Sequence, residues 1–413
     1  MTRPSLRKRL SHRLKSAVYK SAALDAWLDD RLRPTGPSGL AQRSYHRLFP
    51  ERASRTTVFR PADRSAAAPQ GVARILSLVP PEDTGGANRP ARLAAELYRR
   101  GFDIDWRWAL EIYPWPQRRR PSAAGVQITH ITDKAPLPCP SLVLIEAPHP
   151  AFIELLADVP AGVPIVYDQI DLWQEDLGRG WFSRDSEDIL IRRADLLFAS
   201  AQSLAADLET RIQRPCVLLP NAVDPQLLAA SASHPRPTDL RPGKPCCVYI
   251  GALWGEWLDF AAISDLAAAL PQAEIHLIGR RGDRPLPEAA NIHFLGERSR
   301  ESIPAYLAHA HIALAPFRSG PVASAVSPLK VFEALAMGCP VAATGLPEVA
   351  DFAGVACSTT SLKDAVLRAA ALEIPPATSA AFAASNSWAL RVDCLLQATQ
   401  EWTPSQEAWR PPL

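Results

Sequence analysis

The segment with the clearest chemical potential runs from Ser327 to Glu333 and reads Ser-Pro-Leu-Lys-Val-Phe-Glu. Because serine is a good N-cap and proline suits the first helical position, the segment predicts a helix capped by Ser327. Lys330 and Glu333 would share one face of this helix. A helix N-terminus with a lysine in its first turn can bind a phosphate, and a glutamate one turn deeper can accept hydrogen bonds from a ribose. The pattern indicates a site for a nucleotide diphosphate joined to a sugar, although an ordinary capped helix with one exposed ion pair has the same pattern.

The residues after this helix extend the pattern. Gly338 predicts the end of the helix, and Pro340 precedes Val-Ala-Ala, which predicts a short buried strand. With the ending Leu346-Pro347-Glu348, the stretch resembles the donor-site motif of GT-B glycosyltransferases in the large retaining group called family 4. One branch of that group carries a similar Pro-Leu-Lys-hydrophobic-aromatic-Glu segment, then Gly-x-Pro-Val and Leu-Pro-Glu. The resemblance is most specific over residues 312–348 and covers roughly residues 73–400.

The resemblance implies a nucleotide-sugar site around this helix. Lys330 would neutralise the diphosphate as the leaving group departs, which is electrostatic stabilisation of developing charge. Glu333 would bind the ribose hydroxyls. Gly251 follows the strand predicted at 247–250 and would face the same ligand. The backbone that would face the donor belongs to Val326, Ser327, Pro328 and Leu329.

Two further candidates follow strands predicted in the first half of the chain. Gly85-Gly86 lies between a strand and a helix, where a glycine loop lets the backbone approach a phosphate or sugar, but a simple turn would have the same sequence. His149 follows the strand predicted at 141–146. By resemblance it would lie near the donor sugar, where it could donate a hydrogen bond to a hydroxyl, while the alternative is a structural loop histidine.

Asp168 ends the strand predicted at 164–168. A carboxylate at that place could act as a base toward an acceptor hydroxyl, or could orient the hydroxyl. An N-cap or turn aspartate is equally consistent with the sequence. His149 and Asp168 are therefore the predicted catalytic residues, each with a structural alternative.

The chain departs from the family pattern at two places. Many members carry a glutamate eight positions before the second one, and Ala325 occupies that position here. The usual Arg/Lys pair is also missing from the loop after the first strand of the second domain, which reads Gly-Ala-Leu-Trp-Gly-Glu-Trp over residues 251–257. Either other groups such as Lys330 and Arg318 take over, or the donor chemistry is weakened.

The predicted fold class is α/β, of the GT-B type with two doubly wound Rossmann-like domains that face a central cleft. Strands and helices alternate from Val72, and a second series starts at Cys247, which predicts two parallel sheets covered by helices. The predicted boundaries are residues 71–222 for the first domain and 223–375 for the second, the donor domain. By resemblance to GT-B proteins, the helical tail 376–413 would cross back to the first domain.

The first 70 residues differ from the rest, because basic side chains precede the first acid, Asp25, and leucines recur at four-residue spacing. A basic amphipathic helix over residues 1–33 could contact an anionic membrane surface. The alternatives are a solvated extension, a helix packed on the main body, or a transit peptide. Residues 34–70 are rich in proline and arginine and predict a linker.

The composition excludes several classes of protein. A formal net charge of +2 gives no general case for nucleic-acid binding. No run approaches the roughly 18 apolar residues that span a bilayer, and the N-terminus lacks the apolar core of a signal peptide. The seven cysteines include no Cys-x-x-Cys pair, which predicts a reducing compartment and no structural metal. We therefore expect a cytoplasmic protein, either free or peripheral on the inner face of the membrane.

The sequence thus predicts a hexosyltransferase that uses a nucleotide diphosphate sugar and a hydroxyl acceptor, which would be a carbohydrate or a lipid-linked intermediate of polysaccharide or glycolipid synthesis. Retention of configuration follows from the resemblance alone. No cofactor or metal is expected, since GT-B enzymes generally need none, and Asp103-x-Asp105 is interpreted as incidental. The alternatives are an epimerase-type enzyme that acts on the nucleotide sugar alone and a non-catalytic binding protein of the same fold.

Overall fold

The computed structural model describes residues 68–81, 88–110, 119–120, 124–133, 137–224, 234–282 and 284–403. The predicted extension 1–70 and the Gly85-Gly86 loop lie almost entirely outside these residues. The described strands belong to two sheets, of eight and six strands. The chain divides into two compact units. The first unit runs to Val163 and includes Gly178–Leu190, and the second contains Pro164–Leu177 and the chain from Ile191. The domain boundaries that the sequence suggested stay a prediction.

The first unit contains five strands that pair in the order β3-β4-β2-β1-β5. All of these pairings are parallel except the short β3–β4 pair. Helix α1 follows β1, begins at the N-cap Asn88, and buries Leu93 and Leu97 completely. The elements are β1 (Gly71–Ser77), α1 (Arg89–Arg99), β2 (Phe102–Trp108), β3 (Arg119–Arg120), β4 (Val126–His130), β5 (Leu142–Ile145) and α2 (Pro150–Leu155).

Asp105 is part of a buried ion group in this unit. Its carboxylate oxygens lie 2.8 Å from Nε of Arg74 and 2.6 Å from Nε of Arg107, and each of the three side chains is 1% exposed. Arg74 also donates to the carbonyl of Pro138 over 2.6 Å. The Asp103-x-Asp105 pattern is therefore structural at Asp105, which holds two adjacent strands together.

The second unit begins with strands and helices that continue the alternation, and β6, β7 and β8 pair in that order in parallel. Helix α3 begins within the first unit. The elements are β6 (Ile165–Gln169), α3 (Arg184–Arg193), β7 (Leu196–Ala199), α4 (Gln202–Ile212) and β8 (Val217–Leu218).

The six-stranded sheet of the second unit is parallel and has the order β11-β10-β9-β12-β13-β14. Alternate residues of β9 enter different cores: Cys247 and Tyr249 join one apolar cluster, and Cys246 and Val248 join the other. Both faces are therefore covered, which is why these strands are nearly continuous apolar runs. The elements are β9 (Cys246–Ile250), α5 (Phe260–Ala269), β10 (Glu274–Ile278), β11 (Ile292–Gly296), α6 (Ile303–His309), β12 (Ile312–Pro316), α7 (Pro321–Ser324), α8 (Leu329–Ala336), β13 (Val341–Thr344), β14 (Val355–Ser358) and α9 (Leu362–Ala369).

The predicted helical tail is confirmed as two helices, α10 (Pro376–Ser385) and α11 (Trp388–Glu401). Arg391 of α11 donates to the backbone carbonyls of Pro220, over 2.9 Å, and Asn221, over 3.3 Å. The return of this tail to the first predicted domain stays a prediction.

Candidate functional site

The strand order of the six-stranded sheet defines where a ligand should bind. β9 lies between β10 and β12. The chain runs from β9 to β10 and β11 on one side and then crosses to β12 on the other, and this reversal of strand order is a topological switch point. In open parallel sheets, ligands bind beyond the carboxyl ends of the strands at this point. Gly251 directly follows β9, and Phe317 directly follows β12. The predicted donor residue Gly251 therefore lies at the switch point.

Lys330 is in the first turn of α8 and lies at the same place. Its Nζ is 4.0 Å from the ring centroid of Tyr249 and 5.4 Å from that of Phe317, within cation–π range. Burial lowers the pKa of Lys330 to about 7, although the nearby Glu333 carboxylate raises it. A lysine that is half deprotonated near neutral pH would gain charge when an anion binds beside it.

Glu333 lies one turn after Lys330, and both side chains border one small cavity between β9, β12 and α8. Its Oε1 is 3.0 Å from a terminal guanidinium nitrogen of Arg300, in an ion pair whose side chains are 13% and 15% exposed. Arg300 belongs to a short 3₁₀ turn just before α6. The helix face shared by Lys330 and Glu333 is thus as predicted, whereas nothing in the sequence pointed to Arg300.

Two glycines bring the ends of β9 and β10 into direct contact. Gly251 and Gly279 both have φ of +147°, a conformation that side-chain-bearing residues rarely adopt. A Cβ on Gly279 would collide with the carbonyl oxygen of Gly251 and lie 2.7 Å from its carbonyl carbon. A Cβ on Gly251 would lie 2.8 Å from Nζ of Lys330. Only glycine at these positions leaves room for the backbone and the lysine together.

Gly279→Ala is expected to lower the free energy of unfolding by about 3 kcal/mol, because both backbone strain and overpacking oppose the new methyl group. Urea denaturation would measure the change in stability. Gly162→Ala is the control, because Gly162 has a positive φ of +84° but no neighbouring atom within 4 Å of a new Cβ. Equal losses in the two variants would contradict the predicted backbone collision.

The predicted N-cap at Ser327 is wrong. Helix α8 begins at Leu329 with Pro328 in the N-cap position, and no side chain caps it. Ser327 lies one residue before the N-cap, and its hydroxyl accepts a hydrogen bond from the backbone N–H of Asn221 over 3.0 Å. The predicted end of the helix is confirmed, because Gly338 follows the C-cap Met337 with φ of +72°.

His149, in the first unit, caps helix α2. Its Nδ1 accepts a hydrogen bond from the backbone N–H of Ala151 over 3.2 Å, and burial together with the charge of His130 lowers its pKa to about 4. The ring lies 5.5 Å from that of Phe152 and 5.7 Å from that of Trp181, between centroids. The imidazole is therefore neutral at pH 7 and carries its proton on Nε2, which suits a hydrogen-bond donor. Its catalytic role stays a prediction.

Asp168 lies inside β6, which extends one residue beyond it to Gln169. Its side chain is 2% exposed, so the carboxylate is closed off from solvent in this structure. The role of Asp168 as a base toward an acceptor stays a prediction. The candidate pair Gly85-Gly86 lies outside the described residues.

A protein-family model matches the part of the chain that forms the six-stranded sheet. Residues 244–384 match the family model described as "Glycosyl transferases group 1". The matched residues contain the whole six-stranded sheet together with Lys330 and Glu333. We call this segment the group 1 domain, after the family model that it matches. The predicted resemblance is confirmed for it.

One relative of this chain is TuaH from Bacillus subtilis (strain 168), which is named, provisionally, as a teichuronic acid biosynthesis glycosyltransferase. The two sequences are 27% identical over 213 residues, which are 47% of this chain and 53% of TuaH. The chain thus spans about half the length of this relative.

Solved structures extend the likeness beyond the group 1 domain. Sucrose-phosphate synthase from Thermosynechococcus elongatus has a TM-score of 0.58 at 13% identity and covers 80% of this chain and 98% of its own. HepE from Anabaena, solved in complex with UDP, has a TM-score of 0.54 at 15% identity, with coverage of 80% and 100%. The UDP-forming α,α-trehalose-phosphate synthase from Burkholderia xenovorans has 0.53 at 12%, with 80% and 99%. At these identities the likeness shows the fold, and the predicted GT-B fold class is confirmed.

The group 1 domain departs from its family where the sequence indicated. Ala325, in place of the first glutamate, is 4% exposed and ends the short helix α7. Arg318 is engaged by two carboxylates, 3.4 Å from Glu256 and 3.8 Å from Asp259. Arg280, which directly follows Gly279, places its guanidinium 6.0 Å from the ring centroid of Trp254. Lys330, in contrast, places its ammonium group at the switch point, beside Tyr249 and Phe317.

The described residues contain no group of three or more His, Cys, Asp or Glu side chains that could hold a metal ion. None of their helices combines the length and the hydrophobicity needed to cross a bilayer. The predicted membrane contact of residues 1–33 lies outside the described part of the chain.

Proposed function

We propose that this protein transfers a hexose from a UDP-sugar to a hydroxyl acceptor with retention of configuration. The observation that carries the proposal is the position of Lys330 and Glu333. They lie side by side on α8, at the switch point of a group 1 glycosyltransferase domain. A cation and a carboxylate so placed match the two polar parts of a nucleoside diphosphate.

Each group has a role that follows from its chemistry. Lys330 stabilises the negative charge that develops on the diphosphate as the glycosidic bond breaks. Glu333 accepts hydrogen bonds from the ribose hydroxyls, for which it exchanges its contact with Arg300. Because Gly251 and Gly279 have no side chains, the phosphates approach the backbone closely at the strand ends. His149, neutral at pH 7, offers its Nε2–H as a hydrogen-bond donor for a sugar hydroxyl.

UDP is favoured over other nucleotides by the fold relatives, since HepE was solved with UDP and with UDP and glucose. The synthase from Burkholderia xenovorans is named as UDP-forming. The name of TuaH points to cell-surface polysaccharide as the product. The acceptor is then a carbohydrate or lipid-linked intermediate of such a polymer.

A second candidate function is a non-catalytic nucleotide-sugar binding protein. It is favoured by Ala325, because the buried methyl group cannot replace the carboxylate that many group 1 members carry there. Such a protein would bind the donor through Lys330 and Glu333 but would not cleave it.

Calorimetric titration and hydrolysis assays with UDP-, GDP-, ADP- and dTDP-sugars test the proposal. The wild-type protein should bind UDP-sugars selectively and hydrolyse one of them slowly. Lys330→Ala and Glu333→Ala should each weaken binding by tenfold or more, since hydrogen bonds to charged groups contribute about 1.5–3 kcal/mol. Lys363→Ala and Glu288→Ala are matched controls, because both side chains are exposed and lie on other segments.

The outcomes separate the candidates. Selective binding with hydrolysis supports the transferase. Binding that both substitutions weaken, without turnover for any combination of donor and acceptor, favours the non-catalytic binding protein. No binding of any nucleotide sugar by the folded wild type would overturn the donor site.

A further inference from the structure

The residues that precede α8 are held by a segment far away in the sequence. Ser327 is 5% exposed, and its hydroxyl accepts a hydrogen bond from the backbone N–H of Asn221 over 3.0 Å. The side-chain amide of Asn221 donates to the carbonyl oxygen of Ser327 over 2.5 Å. Asn221 thus binds both the hydroxyl and the carbonyl of Ser327, the residue just before the N-cap of the Lys330 helix.

A second set of contacts fixes the same stretch. The hydroxyl of Ser203 donates to the carbonyl of Ser324 over 2.8 Å. The backbone N–H groups of Gln202 and Ser203 donate to the carboxylate of Glu348 over 2.9 and 3.2 Å. Since the N-cap Ala201 has no capping side chain, Glu348 caps helix α4 in its place. Glu348, at the Leu-Pro-Glu ending of the motif, and Ser324 therefore connect this stretch to the start of α4.

Asn221 is itself held in place from the other side. Its carbonyl and that of Pro220 accept hydrogen bonds from Arg391 of α11. Val223, two residues on, is completely buried and packs in one apolar cluster with Phe332 of α8. The segment is therefore a fixed support.

We propose that Asn221 is a positioning residue of the donor site, which holds Ser327 so that α8 presents Lys330 and Glu333 to the nucleotide. The proposal rests on the proposed function for its ligand. Without the amide of Asn221, the carbonyl of Ser327 loses its partner and the start of α8 can move. A small movement there displaces Lys330, which lies only two residues beyond the N-cap.

Asn221→Ala is expected to raise the dissociation constant of UDP about three- to tenfold, which is the effect of one lost hydrogen bond. Amide hydrogen exchange in residues 325–332 should become faster by a similar factor. Asn221→Asp should have a larger effect on both, because a carboxylate would face the carbonyl of Ser327 over the short distance now bridged by a proton. Calorimetric titration with UDP and exchange mass spectrometry of the full chain measure these effects.

Asn291→Ala separates positioning from general destabilisation. The amide of Asn291 donates to three backbone carbonyls, of Ala267, Leu270 and Ala273, at the start of β11. This variant should lower the melting temperature at least as much as Asn221→Ala, and should leave UDP affinity and exchange at 325–332 unchanged.

Failure of the proposed function and failure of this inference give different results. If the wild type does not bind UDP, the proposed function fails, and exchange at 325–332 in Asn221→Ala still decides the structural claim. If UDP affinity and exchange match the wild type in Asn221→Ala, or if Asn291→Ala changes both as much, the positioning role is overturned.

Discussion

Lys330→Ala should lower the rate of sugar transfer by about 10²–10³-fold, the typical effect of removing one group that stabilises developing negative charge. Lys330 is the cation at the switch point, whereas Arg318 is engaged by Glu256 and Asp259. Its Nζ lies 4.0 Å from the ring centroid of Tyr249, and a Cβ built on Gly251 would lie 2.8 Å from it, which places the charge at the end of β9. Steady-state assays with the donor identified by titration would measure the rate.

The same lysine predicts a pH dependence of donor binding. Because its pKa in the free protein is lowered to about 7, Lys330 is charged below pH 7 and becomes neutral above it. The bound diphosphate favours the charged form, so binding above pH 7 must take up a proton. The affinity for UDP-glucose, whose diphosphate does not titrate in this range, should therefore fall between pH 7 and 8.5.

Lys330→Arg is the control for the pH effect, since arginine stays charged throughout this range. Its affinity for UDP-glucose should not decline with pH, whatever its absolute value. A rate for Lys330→Ala within tenfold of the wild type, or the same pH profile in wild type and Lys330→Arg, would show that Lys330 does not bind the diphosphate.

Asp105→Ala should lower the free energy of unfolding by about 3–5 kcal/mol, because it leaves two buried guanidinium groups without their carboxylate. Asp105, Arg74 and Arg107 are each 1% exposed, so water cannot replace the lost partner without opening the sheet. Urea denaturation followed by circular dichroism measures the change. Asp105→Asn, which keeps the shape and removes the charge, provides a second variant if the alanine variant does not fold.

The matched control is Asp207→Ala. Asp207 pairs with Arg211 over 3.3 Å, but its side chain is 47% exposed on the surface of α4. Such exposed pairs contribute little, about 0–1 kcal/mol, and the variant should unfold close to the wild-type midpoint. Similar midpoints for Asp105→Ala and the wild type would mean that the ion group adds nothing to the stability of the first unit.

Local patterns predicted the secondary structure of the second sheet closely. The sequence places β10 at residues 274–278, as found, because a short run rich in isoleucine and leucine is bounded by Pro271 and Gly279. The end of α8 at Gly338 depends on one residue that tolerates positive φ. The predicted start of α8 was wrong, because the helix begins one residue later and the hydroxyl of Ser327 bonds the distant backbone N–H of Asn221.

The sequence by itself determined the fold class and the shared helix face of Lys330 and Glu333, because alternation of elements and a three-residue spacing are local properties. Only the tertiary structure decided what surrounds that face. Arg300 on Glu333, Gly279 against Gly251, and Asn221 on Ser327 are contacts between residues 28 to 106 positions apart. Such contacts depend on which strands are neighbours and on how loops at the strand ends meet. Residue spacing along the chain does not predict that arrangement. The contacts that support the site could therefore be identified only from the tertiary structure.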